Sequence, residues 1–360
     1  MSTIAPIRVA LIGYGNAGKT FHAPLIGAVP GLQLACVASR RPDDVHADIP
    51  DVDVVADPLQ AIGRPDIDLV VIAAPNDRHA PLAAAALQAG KHVVVDKPFT
   101  LTVAEARDLR ALAQRQLRLL SVFHNRRWDS DFLGVQQVIA SGRIGEVVHF
   151  ESHVDRFRPQ VRARWREGAQ PGAGIWFDLG PHLIDQALQL FGLPQRVQLE
   201  LATLRPGGLS ADWAHALLDY AGHRVVLHAS MLVAGGSARF SVHGTHGSVV
   251  KPRIDPQETQ LQAGLRPGDP GWGMDDDPLL LYPGESAMET IATPPGDQSR
   301  YYAGIRDAIR GIAPSPVPDI QALAVMAVLE AGLHAAQDAR AVAPALDAQE
   351  RYAFAASLLA

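Results

Sequence analysis

The chain has 360 residues, enough for about two domains at roughly 150 residues each. Hydrophobic residues make up 48% and charged residues 19%, the balance of a globular protein and not of a disordered or fibrous one. A net charge of −6 with scattered Lys and Arg gives no nucleic-acid footprint, and the single cysteine excludes an internal disulfide. That cysteine, Cys36 in "LQLACVAS", reads as a small buried hydrophobe in a reducing compartment. The N-terminal "MSTIAPIRVALIGYG" has no basic leader or cleavage site, and its apolar stretch is too short to span a bilayer. A cytoplasmic location with no membrane partner is the expectation.

The first third alternates strand and helix patterns. "IRVALIGYG" is a strand running into glycines, followed by strands in "LQLACVAS" and "IDLVVIAAP". The alanine-rich helix "HAPLAAAALQAG" stops at Gly90, and "KHVVVDKP" is the next strand. A helix from about Thr102 to Gln114 and a strand in "RLLSVFHN" complete a parallel sheet with helices on both faces.

From about Asn125 the texture changes. A helix near "DSDFLGVQQVIASG" leads into "EVVHFESHVDRF", which alternates with period two. Similar runs are "QRVQLELATL", "AHALLDY", "RVVLHASM" and "ARFSVHGTHGSVV", with one helix among them in "DLGPHLIDQALQLFG". Such runs predict an α+β domain with a largely antiparallel sheet. The Pro/Gly-rich stretch from about 264 to 297 reads as irregular surface, and helical patterns follow near 299–311, 318–337 and 347–358. The predicted domains are residues 1–124, which bind a dinucleotide, and 125–360, which bind substrate.

"GYGNAG" places Gly13, Gly15 and Gly18 in G-x-G-x-x-G spacing around Asn16 and Ala17. Gly13 permits the tight turn, Gly15 lets a pyrophosphate approach the backbone, and Gly18 lets the following helix pack on the strand. The motif follows a predicted strand and opens a helix, the context in which it signifies dinucleotide binding. Lys19 does not make it a phosphate-binding loop of the G-x-x-x-x-G-K type, because the four-residue gap is missing. An NAD-specific site would carry an acid about twenty residues further on. This chain has "ASRRPDD", where Ser39, Arg40 and Arg41 can bond and neutralise a 2′-phosphate. NADP(H) is therefore preferred over NAD(H); the other reading is two solvated arginines at a strand end.

"VVVDKPFT" raises a different question. Three valines read as a buried parallel strand, and Pro98 stops it, leaving Asp96 and Lys97 at its carboxyl end. In open α/β sheets ligands bind at that edge. In "GIWFDLGPHLID", Asp178 and His182 stand four apart and share one face of a helix that begins near Asp178, with Pro181 in its first turn.

These motifs, with "APNDRH", "FHAPLI" and "HNRRWDSDF", resemble in order and spacing the Gfo/Idh/MocA oxidoreductases, closest to their inositol dehydrogenase-like bacterial members. The resemblance covers nearly the whole chain; the usual Glu-Lys-Pro is Asp-Lys-Pro here. It implies that Lys97 lies beside the nicotinamide and moves the hydroxyl proton, its pKa lowered by the oxidised ring and reduced access to water. It also implies that His182 assists the proton and that Asp178 binds a second hydroxyl or orients His182. Ala74, Pro75, Asn76 and His79 would meet the cofactor, although Asn76 could simply cap a helix. Asp96, Asn125 and Arg126 would line its open end, with Arg127 and Trp128 as packing.

His153 and Asp155 share a strand face and are either polyol-pocket residues or solvent-facing. A metal held by Asp178, His182 and Asp185 is conceivable, but the resemblance requires none, and none is expected. The reading is an NADP-preferring dehydrogenase of a polyol, cyclitol or sugar, assembling as a homodimer or homotetramer through the second-domain sheet. Reduction of another carbonyl compound, such as an aldose or diketone, is the rival within enzymes. A nucleotide-sensing regulator is the rival outside them.

Overall fold

The computed structural model describes residues 5–359. The outer limits of both predicted domains, and the leader reading as it concerns residues 1–4, lie outside the described residues. The first domain carries β1 (Ile7–Ile12), α1 (Ala23–Gly27), β2 (Leu32–Ala38), α2 (Pro42–His46), β3 (Asp53–Val55) and α3 (Pro58–Ile62). Then come β4 (Leu69–Ile72), α4 (His79–Gln88), β5 (His92–Val95), α5 (Val103–Gln116) and β6 (Leu120–Val122). The strands pair in the order 3-2-1-4-5-6, all in parallel. That is the doubly wound dinucleotide-binding order.

Local chemistry explains the elements. Every residue of β4 is buried, as a strand covered on both faces requires. A capping box opens α5, where the Thr102 hydroxyl accepts from the Glu105 amide and the Glu105 carboxylate accepts from the Thr102 amide. The predicted helix at Gly18 is a π-helical turn, Gly18–His22, which runs directly into α1.

The second domain adds α6 (Ser130–Ala140), β7 (Val147–Asp155), α7 (Ile175–Phe191), β8 (Arg196–Ala202), β9 (Trp213–Asp219) and β10 (Arg224–Ser230). It continues through β11 (Phe240–Gly244), β12 (Ser248–Lys251), α8 (Gln257–Gln262), β13 (Leu279–Tyr282) and β14 (Glu289–Ile291). The sheet order is 14-13-12-11-7-10-9-8, antiparallel except for the β7–β10 pair. β13 and β14 fall inside the stretch expected to be irregular; both are short, β14 is the edge strand, and Leu279 and Leu281 of β13 reach the core. A second correction concerns α7. It begins at Ile175, whose amide donates to the Ala211 carbonyl, so Pro181 lies within the helix and not in its first turn.

Three last helices, α9 (Ser299–Ile309), α10 (Asp319–Asp338) and α11 (Ala348–Ser357), match the predicted ones. They return to the first domain. Tyr301, Tyr302 and Ile305 of α9 join the core of β1 and α1, and Arg107 of α5 pairs with Glu350 of α11. Among the described residues α10 alone is long and apolar enough to cross a membrane, and it is mostly buried against β8, α7 and α5.

One buried ion pair ties these parts together. Arg127 holds Asp185 of α7 through two bonds of 2.9 and 2.6 Å, and Gln321 of α10 at 2.7 Å. Asp185 is thus an arginine partner, which removes it from any metal reading with Asp178 and His182. Asp185→Ala should lower the urea-unfolding free energy by about 3–5 kcal/mol, because it leaves a guanidinium buried without its counter-charge. An unchanged midpoint would mean that water replaces the pair.

Candidate active site

The glycine turn joins β1 to the π-helical turn. Gly13 sits at φ +100°, where a side chain would strike the Ala73 carbonyl, and a Cβ on Gly18 would strike the Gly13 carbonyl. A Cβ on Gly15 would meet nothing within 4 Å, so its bare backbone faces open space. This cradle fits a dinucleotide pyrophosphate. Gly15, Asn16 and Ala17 line a cavity of about 640 Å³ that continues to Asp96, Lys97, Asn125, Arg126, Asp178 and His182. That size falls within the usual range for ligand sites. A larger cavity of about 820 Å³ between β8 and the end of α10 contains no comparable convergence of charged groups, so the first is the candidate site.

Ser39 follows β2 directly. Its hydroxyl accepts from the Arg41 amide at 3.1 Å, while the Arg41 guanidinium pairs with Asp44 at 3.0 Å and reaches the Tyr14 carbonyl at 3.2 Å. Arg40 is exposed and, among the described residues, has no acidic partner. Lys19 is taken by Asp48 at 2.8 Å, away from any phosphate role.

Lys97 follows β5, and its peptide bond to Pro98 is cis. Its ammonium crosses to the second domain, where it donates to the Asp178 carbonyl at 2.5 Å and to the Asp178 Oδ1 at 3.1 Å. Both side chains are largely enclosed, 12% and 14% exposed. Burial would raise the Asp178 pKa, but Lys97, Arg166 and Arg156 hold it well below the ordinary carboxylate value. Asp178 is a buried anion fixed by a cation from each domain, since Arg166 Nε stands 3.4 Å from the same oxygen.

His182 lies one turn on. Burial first, then the Lys97 and Arg126 charges, push its pKa far below the imidazole norm, and its Nδ1 has no partner. Buried His124, behind it, has no partner at either nitrogen, and burial lowers its pKa to about 4.

Other expected residues are placed differently. His79 is fully buried, between the carbonyls of Pro98 at 2.7 Å and Ala74 at 2.9 Å; a neutral ring can donate to only one of them. It braces the ends of β4 and β5 and does not reach the cavity. Asn76 does not cap a helix; it donates to the Gly172 carbonyl at 2.9 Å and links the domains. With Ala74 and Pro75 it stands behind the cavity wall. Arg126 lines the cavity while paired with Asp129 and Glu258.

Of the two readings left open for His153 and Asp155, the pocket one does not match their place in the fold. The residues of β7 alternate faces, and those two point to the side opposite the buried Phe150, Ser152 and Val154, away from the cavity. Period two shows that they share a face, not which face the domain covers. In their place stand residues that escaped the reading: Arg156, Arg158, Arg162, Arg164 and Arg166, five arginines in "RFRPQVRARWR". Among the described residues no carboxylate lies within ion-pair distance of Arg156, Arg158 or Arg162. Their density was the available signal.

Buried neutral histidines fix the sign of a pH effect. The unfolded chain binds a proton on His124 near pH 6.5, whereas the folded chain resists until about 4, so stability is lost as pH falls through that interval. Between pH 7 and 5 the loss from this residue should be about 2 kcal/mol. Urea unfolding of His124→Gln should show a decline shallower by that amount; an equal decline in both proteins would mean that His124 is not held neutral.

Residues 7–124 match the family model described as "Oxidoreductase family, NAD-binding Rossmann fold", and residues 136–343 match "Oxidoreductase family, C-terminal alpha/beta domain". The chain is 55% identical over 334 residues to the uncharacterized oxidoreductase YdgJ of Escherichia coli K12, covering 92% of this chain and 96% of the other. It is 35% identical over 341 residues to the scyllo-inositol 2-dehydrogenase (NADP(+)) IolW of Bacillus subtilis 168, covering 93% and 95%. A crystal structure of a Klebsiella pneumoniae protein described as an oxidoreductase superposes with a TM-score of 0.93 at 58% identity, over 99% of this chain and all of that one.

Proposed function

The chain belongs to the Gfo/Idh/MocA oxidoreductase family, and on that premise we propose an NADP(H)-preferring dehydrogenase of a polyol, cyclitol or sugar. The observation that carries this reading is the Lys97–Asp178 contact, with unpaired His182 on the next turn, in the cavity that opens from the glycine cradle. The nicotinamide, when bound, supplies or accepts the hydride. Lys97 Nζ is the group positioned to take the hydroxyl proton or return it to the alkoxide oxygen. Asp178 keeps that ammonium at the edge of β5 and offers its second oxygen to a neighbouring substrate hydroxyl. Neutral His182 can donate to or accept from the reacting oxygen without carrying charge into the site. A regulator that only senses nucleotide has no need of this trio.

Ser39 and Arg40 support the NADP preference, and the name of IolW agrees with it. The open face of the second sheet, away from α7, is the surface we assign to a second copy of the chain. The arginine segment favours a second reading. Arg158 is depressed in pKa by burial and by Arg156, Arg162 and Arg164; Arg164 is paired with Glu167, and among the described residues Arg156, Arg158 and Arg162 crowd one another with no carboxylate at ion-pair distance. A carbonyl substrate bearing a carboxylate or phosphate would relieve that crowding.

The cofactor reading predicts kcat/KM for NADPH at least about tenfold above NADH, the worth of a charge-assisted bond to phosphate. Equal values would contradict it. Arg158→Ala separates the substrate readings when NADPH oxidation is followed with neutral ketoses, inososes and their carboxylated or phosphorylated counterparts. A raised KM confined to anionic substrates favours the second reading. No turnover with any carbonyl compound would leave the regulator.

A further inference from the structure

The open face of the eight-stranded sheet holds a second group of titratable side chains. His149, Glu151, His153 and Asp155 of β7 all turn to it. Strand register sets His153 beside His228 of β10, and His228 beside His215 of β9. Three side chains converge there. Asp155 Oδ2 lies 3.6 Å from His153 Nδ1, and Asp155 Oδ1 lies 3.6 Å from His228 Nε2. One donor atom from each of the three residues lies within 4.8 Å of the other two.

Asp155 is the second observation. Its side chain is 2% exposed, and neither carboxylate oxygen has a hydrogen-bond partner within 3.5 Å, although His153 and Ser237 stand near enough to hold its pKa down against burial. His153 Nδ1, aimed at it, is also buried and unpartnered. A buried carboxylate without donors is costly, and a cation at the centre of the three residues would remove the cost.

The outer bonds fit the same picture. Glu151 Oε2 lies 3.0 Å from His153 Nε2, and His215 Nδ1 lies 3.2 Å from His228 Nδ1. With the His153 Nε2–H given to a carboxylate, its Nδ1 lone pair is left facing Asp155. Metal-bound imidazoles are oriented in this way by a carboxylate on the far nitrogen. A tetrahedral ion with bonds of about 2.0–2.1 Å needs donor atoms roughly 3.3–3.4 Å apart, so the three donors, which lie within 4.8 Å of one another, draw together by up to about 1.4 Å when the ion binds. Two imidazoles and one carboxylate suit zinc-class ions, whereas calcium and magnesium favour oxygen ligands.

We propose that His153 Nδ1, His228 Nε2 and Asp155 bind one divalent transition-metal ion of the zinc class, with the fourth position taken by water. His153 and His228 are partly exposed in the single chain, so the ion can enter before a second copy covers this face. The site is separate from the Lys97 cavity and serves no step of hydride transfer.

The test uses untagged, chelator-treated protein titrated with Zn²⁺ against a chromophoric chelator, and with Co²⁺ followed by visible absorption. One equivalent of Zn²⁺ should bind per chain, and Co²⁺ should develop the intense bands of tetrahedral coordination. Asp155→Asn and His228→Ala should each weaken Zn²⁺ binding at least tenfold. Glu151→Gln, which loosens the His153 ring and also releases His149, should weaken it by about 10–100-fold. Circular dichroism identifies any variant that fails to fold, and the Co²⁺ spectrum of the unaltered protein stands without the variants. No stoichiometric Zn²⁺ binding, a weak octahedral Co²⁺ spectrum, or folded Asp155→Asn and His228→Ala variants that bind like the parent would each overturn the proposal.

Discussion

A lysine at the end of one domain's strand cannot bring its ammonium into a largely dry crevice unless a carboxylate waits there. Lys97 finds Asp178 in the opening turn of α7, and the rest of the site follows from that contact. It fixes how the second domain stands over the carboxyl edge of the first sheet. Asp178 stays ionised because Lys97 and Arg166 face it, and His182 stays neutral because the same cations and its own burial disfavour protonation. A buried pair of this kind is weak evidence for stability. Its value lies in position, since it holds a proton-carrying group and an unpaired imidazole in one cavity.

That position needs a stiff support. Arg127 with Asp185 and Gln321, and Arg126 with Asp129 and Glu258, brace the crossover between domains. Arg239 extends the support below α7, reaching Asp131, Ser152 and Gln186. All of these groups but the half-buried Glu258 are buried, so the loss of one buried partner strands a charge in the interior. Reactive groups on a strand end and a helix turn, locked by such partners, keep their geometry better than groups on loops.

Much of this was legible in the sequence, for identifiable reasons. Runs such as Val93–Val95 mark doubly covered strands, and the glycine spacing reports a turn that tolerates no Cβ at Gly13 or Gly18. The i,i+4 relation of Asp178 and His182 survived although the helix starts earlier than expected. The rest depended on contacts between residues far apart in the chain. Nothing local says that Tyr301 and Tyr302 close the core of the first domain, or that leucines in a Gly/Pro-rich stretch form a strand between β12 and β14. Alternation in β7 could not say which face met α7, and so the pocket and solvent-facing readings of His153 and Asp155 stayed open. His79 was taken for a ligand contact when both its nitrogens are occupied by backbone carbonyls.

The claim at the centre is that Lys97 and Asp178 act as one proton-handling unit. A double-mutant cycle on kcat, with NADPH affinity measured separately by fluorescence titration, tests it most directly. Lys97→Met should lower kcat by about 10²–10⁴ while NADPH binding is nearly kept. Adding Asp178→Asn to Lys97→Met should cost little more, because groups that act as a unit are not additive. Near-native turnover by Lys97→Met, or a double variant that loses the full product of the two single effects, would contradict the account.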